Sequence, residues 1–235
     1  MAERVAGRAG TVSSSRLRRL AQRSASELEA AQEHCELCSE PIPGEHRHLL
    51  DLRSRELMCC CRACKILFDR GAAGGGHYRL VPDRRLRVAD FELDDASWES
   101  LRIPVDMAFF FHNTQAERVS AFYPSPMGAT ESLLELRAWT DLERANPLLS
   151  ELEPDVEALL VNRARGARSH WIVPVDDCYG LVGLIRTRWR GLTGGQEVWD
   201  EIEGFFERLE RQSKDVRRAG TGTVSRPPAV EAAGA

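Results

Sequence analysis

The sequence predicts an α+β protein in two parts: a small cysteine-clamped finger, then a single α+β domain with a mostly antiparallel sheet. Three observations carry this expectation. Cys35 and Cys38 form one C-x-x-C and Cys61 and Cys64 form a second, with 22 residues between them. Several short apolar runs, "MAFFF" (Met107 to Phe111) foremost, have the length and composition of strands. Val198, Trp199, Ile202, Phe205, Phe206 and Leu209 recur at helical spacing, the pattern of a helix laid on a sheet.

Residues 1–33 are rich in Arg, Ser, Ala and Gly. The stretch from Arg16 to Gln32 carries Leu17, Leu20 and Leu28, an apolar face too thin to dock, so a disordered arm is expected. The cysteine module spans 34–70. After the first knuckle, Pro41, Pro43 and Gly44 turn the chain. His46 to Leu52 reads as a strand, Arg53–Arg55 as a turn and Glu56 to Cys60 as the returning strand. Cys61 and Cys64 then open a helix with Cys64, Leu67 and Phe68 at helical spacing. Knuckle, hairpin and ligand-bearing helix start make a treble-clef-like or zinc-ribbon-like finger.

Gly71 to Gly76 reads as a linker. It follows a helix and precedes a strand, the reverse of a phosphate-binding loop. The domain spans 77–214. Strands are expected at Tyr78–Pro82, Arg85–Phe91, Val105–His112, Arg118–Tyr123, Val156–Asn162 and His170–Val175. Met107 to Phe111, apolar on both faces, should lie centrally. Pro174 places its strand near an end or an edge. Helices are expected at Glu131–Ala145, Asp177–Arg190 and Gly195–Arg211, with Asp176 as the N-cap of the second. From residue 215 onward, Pro227-Pro228 and scattered Gly and Ala read as a disordered tail.

Hydrophobic content of 43% and charged content of 29% are those of an ordinary globular chain. The sequence lacks an apolar run of spanning length and an apolar N-terminal segment, so a cytoplasmic location is expected without a membrane span. Seven cysteines in that setting read as metal ligands or buried thiols rather than a disulfide framework. Net charge is −4, and between His34 and Arg70 six cations balance six anions. The finger therefore offers phosphates no net attraction, and nucleic acid is not expected as a partner.

Two thiolates three positions apart grip a metal from one knuckle, and two such pairs complete a tetrahedral sulfur shell. The expected ligands are Cys35, Cys38, Cys61 and Cys64, with Zn2+ as the ion and iron in the same cage as the alternative. Cys59 and Cys60 are left over, and Cys60 could replace Cys61 if the turn is bulged. His34, His46 and His48 are close enough in sequence to compete as ligands, or to donate hydrogen bonds to them. Four cysteines already complete the shell, so the plainer expectation for all three is a solvated or half-buried imidazole. Cys178, near a helix start, could join His112 and His170 in a nucleophilic constellation. No nucleophile motif surrounds it, so a core thiol is the expectation. Asn162-Arg163 and Asp176-Asp177 could line a site, yet polar pairs at element ends usually cap and turn.

The strings "CELCSEPIPGEHRHLLDL", "RELMCCCRACKILF", "YRLVPDRRLRV", "AFYPSPMGATESLLEL", "PDVEALLVNR" and "HWIVPVDDCYGLVGLIRTRWRGLTGG" resemble an uncharacterised bacterial domain-of-unknown-function family. The resemblance covers residues 34–212. Members of that family are encoded beside uptake nickel–iron hydrogenases. This implies an accessory role in hydrogenase assembly or electron handling, with hydrogenase subunits or maturation factors as protein partners; it supplies no catalytic residues. Four functions compete. A non-enzymatic zinc-binding accessory protein is favoured. The others are a rubredoxin-like one-iron electron carrier, an enzyme working through Cys178, and a nucleic-acid binder.

Overall fold

A computed structural model of the protein describes residues 33–68, 76–132, 136–191 and 193–218. Of the arm expected over 1–33, the linker expected over 71–76 and the tail expected from 215, residues 1–32, 71–75 and 219–235 lie outside the described residues, while 215 and 216 belong to a strand and not to a disordered tail. The fold is mixed α+β, with two sheets that are antiparallel except at one edge.

The first sheet belongs to the finger. Strands β1 (Arg47–Asp51) and β2 (Leu57–Cys60) form the expected hairpin, and helix α1 (Arg62–Phe68) follows. Its third strand is β3 (Tyr78–Leu80), which pairs with β1. The sequence reading grouped this strand with the larger domain. It joins the small sheet instead, on the free edge of β1.

The second sheet has seven strands. In chain order they are β4 (Leu86–Val88), β5 (Met107–Asn113), β6 (Arg118–Ser125), β7 (Gly128–Ser132), β8 (Glu157–Asn162), β9 (Ser169–Pro174) and β10 (Lys214–Val216). Across the sheet the order is β10-β4-β9-β8-β5-β6-β7. Helices cover both faces. Ala108 and Phe110 of β5 pack with Leu159, Val161 and Ile172 under α2 (Asp95–Ser100) and α3 (Leu136–Ala145). Met107, Phe109 and Phe111 turn to the other face, under α4 (Val175–Arg188) and α5 (Gly195–Gln212). Two helical layers explain why β5 is apolar at every position: alternate side chains enter two different cores.

On α5, Val198, Ile202, Phe206 and Leu209 are buried, with Trp199 and Phe205 at the margin. Pro174 ends β9, an interior strand, as its missing donor requires. Asp176 does not cap α4. The helix begins at Val175, and Asp176 accepts a hydrogen bond from the Asp177 N–H (2.9 Å) with one oxygen. Glu131 and Ser132 lie in β7, so the helix expected from Glu131 starts at Leu136.

The finger is joined to the domain through a shared core and a buried charge. Leu50 of β1 packs with Val81 and Val156. Asp155, fully buried and at φ +68°, accepts hydrogen bonds from Arg55 at the hairpin (2.6 Å) and from Arg79 of β3 (3.3 Å). Thr114 adds its N–H (3.0 Å) and its hydroxyl (2.6 Å). Burial alone would raise the Asp155 carboxyl, but the Thr114 and Arg55 donors outweigh it and hold it below the usual carboxylate range.

Candidate metal centre

The first knuckle is shaped by its own backbone. The Cys35 N–H donates to Glu40 O (2.8 Å) and the Ser39 N–H to Cys35 O (2.7 Å), with Ser39 at φ +62°. This tight turn brings the Cys35 and Cys38 side chains to one side. Glu36 fastens the knuckle to β2: its N–H donates to Cys59 O (2.9 Å), and its carboxylate accepts the Cys59 N–H (2.6 Å). The second pair comes from the other side of the hairpin. Cys61 immediately precedes α1, Cys64 lies in its first turn, and the Cys64 N–H approaches the Cys61 sulfur at 3.4 Å.

The four sulfurs lie within 4.8 Å of one another. Cys38 and Cys61 are 3.6 Å apart, sulfur to sulfur. A tetrahedral ion with sulfur bonds of about 2.3 Å would set its sulfurs about 3.8 Å apart, so this constellation can hold a metal ion. Cys35, Cys61 and Cys64 are buried while Cys38 is exposed. Burial works against ionisation of Cys35, but the N–H groups of Cys61, Leu37 and Cys38 bring its thiol down to about 6. Burial, reinforced by the neighbouring thiols, pushes Cys64 well up. Close-set sulfurs cannot share several negative charges without a cation, which is what a metal supplies.

The leftover cysteines are separated by the strand alternation. Cys60 is buried in the finger core with Leu49 and Ile42, and burial raises its thiol to about 11. Cys61, not Cys60, stands with the other three sulfurs. Cys59 faces the other way and groups with His46 and His48, the ligand atoms again within 4.8 Å. Sequence proximity places these histidines near the metal region but does not reveal this grouping. The signal that reveals it is the hairpin register, which sets His48 opposite Cys59. His34 is exposed and bridges to Pro41.

The constellation imagined around Cys178 does not form. Cys178 is fully buried in the core beneath α4, and burial pushes its thiol far up. His170 and His112 belong to the opposite face, the first stacked on Phe91 (4.4 Å) and the second edge-on to Trp139 (6.1 Å). Burial lowers His170 to about 4. The polar pairs serve the fold. Asn162 accepts the Ala164 N–H (3.0 Å), and Arg163 bonds Leu93 O (3.1 Å) and Asp95. Asp177 is held bidentately by Arg85 (2.6 and 2.8 Å), and Asp176 pairs with His48 (2.8 Å).

A model described as "Family of unknown function (DUF5947)" matches residues 34–213. The chain belongs to this family. The match begins one residue before Cys35 and runs through α5, so DUF5947 takes in the finger and the domain together. No curated protein and no solved structure matches the chain.

Proposed function

We propose that this DUF5947 member is a non-enzymatic accessory protein organised by a structural zinc ion on Cys35, Cys38, Cys61 and Cys64. One observation carries the reading. The sulfur set is closed, with four thiols converging from a knuckle and a helix start, which leaves no position for substrate or water. Bound there, zinc would supply the cross-link that so small a hairpin core cannot replace. The setting we propose is assembly, maturation or docking of an uptake nickel–iron hydrogenase. It rests on the motif resemblance, with the α+β domain as the docking surface.

The iron reading has one observation in its favour: Cys38 is exposed, which would give an electron a sulfur at the surface. The helix start that carries Cys61 and Cys64 favours zinc, because rubredoxin-type sites are built from two loops. Elemental analysis and a visible spectrum of the purified full chain decide between them. We expect a colourless protein holding zinc in the cage, lost in Cys35→Ser and in Cys64→Ser. A coloured protein that bleaches on reduction would replace zinc by iron. Co-purification with the hydrogenase from cells expressing both tests the setting; recovery of the chain without any hydrogenase subunit or maturation factor would remove it.

A further inference from the structure

We propose that His46, His48 and Cys59 form a second metal site, separate from the four-cysteine cage, that binds one zinc ion and leaves one coordination position open. The hairpin builds it. His46 and His48 are two residues apart and so share a face, and the register places Cys59 directly across from His48. One nitrogen of each ring and the Cys59 sulfur lie within 4.8 Å of one another. The rings meet edge to face at 4.8 Å between centroids.

Two further observations separate a ligand pair from a packing pair. First, each imidazole already has its Nδ1 engaged. His48 Nδ1 meets the Asp176 carboxylate at 2.8 Å. His46 Nδ1 meets Pro43 O at 2.9 Å and the Glu33 carboxylate at 3.2 Å. An acceptor on one ring nitrogen orients the imidazole and leaves Nε2 unprotonated for a metal, the arrangement found behind metal-bound histidines. Second, the His46 side chain is only 7% exposed, and its Nε2 is buried without a hydrogen-bond partner. Packing alone gives no reason to bury an unsatisfied nitrogen beside a second imidazole and a thiol. A metal ion does.

Two imidazoles and one thiolate suit zinc, and three protein ligands are the count of sites that keep a place for an exchangeable fourth. A cleft of about 420 Å³ is lined by His46, His48, Arg85, Asp176 and Asp177, so both imidazoles border open space although the His46 Nε2 itself is buried. The inference does not depend on which ion the cage holds. It also explains Asp176, which forgoes capping α4 and instead orients a ligand on the finger.

The test uses the full chain, washed with a weak chelator that leaves the cage loaded, then titrated with zinc. We expect one further equivalent to bind. His46→Gln and Cys59→Ser should each abolish that equivalent and keep the cage metal. Asp176→Asn, which touches no proposed ligand atom, should weaken it about 10-fold or more. With cobalt as the probe, the second equivalent should bring tetrahedral bands with a sulfur-to-metal transition that Cys59→Ser removes. Added imidazole should shift those bands. Uptake of no further equivalent by the parent chain, or undiminished uptake by folded His46→Gln and Cys59→Ser, would overturn the proposal. Bands unmoved by imidazole would overturn the open position.

Discussion

Asp155 shows how much one residue decides. Its carboxylate collects Arg55 from the β1–β2 turn, Arg79 from β3 and Thr114 from the β5–β6 turn, and it is fully buried. Asp155→Asn should cost about 3 kcal/mol, the low end for breaking a buried pair, because both arginines left behind keep some solvent. Equilibrium denaturation of the metal-loaded chain checks this. This role was not legible in the sequence, since a partner such as Arg55 lies 100 positions away. His170 is a second case. Its ordinary value of 6.5 falls to about 4 in the folded protein, so the unfolded chain takes up a proton that the folded one refuses. Stability should therefore fall as pH drops from 6.5 toward 4, and His170→Phe should flatten that slope in thermal melts. An unchanged slope would assign the acid sensitivity to other groups.

Among the elements, legibility followed the strength of the local pattern. β5, β8 and α5 stand where their apolar runs placed them, because each buries a continuous face. β10 has no such pattern: "KDV" carries no strand signature and is extended through its parallel pairing with β4. β7 lacks one as well. "GATES" is polar, and its strand character comes from a hairpin whose turn ends at Gly128, at φ +117°. The Pro126–Gly128 turn signal was there to be read. α2 is a single capped turn and a half, with Asp94 accepting the Ser97 N–H at 2.7 Å. The packing of α5 gives a direct test at this scale. Phe206 stacks on Trp171 at 5.3 Å between centroids, and Phe206→Ala should cost about 3–5 kcal/mol and alter the tryptophan fluorescence.

For the whole molecule, the four-cysteine constellation was legible because knuckle spacing is local. The His46–His48–Cys59 group was not, because it needs the hairpin register and the unsatisfied nitrogen. The way the finger meets the domain was also hidden. It shares the Leu50–Val81–Val156 cluster and the Asp155 charge, which link β1, β3 and the start of β8. Loss of the cage metal should therefore be felt at the junction without dissolving the large core. In Cys64→Ser, hydrogen exchange should accelerate at the amides of β1, β2 and α1, moderately at Val81, and little in β5 and β8. Uniform acceleration throughout would mean that the finger and the large core unfold as one unit.

X-ray absorption at the zinc edge, on chelator-washed full-length protein, tests the cage most directly. Sulfur from Cys35, Cys38, Cys61 and Cys64 should give a single shell of four scatterers at about 2.3 Å. A shell containing nitrogen or oxygen, or the same four-sulfur shell in Cys64→Ser, would contradict it.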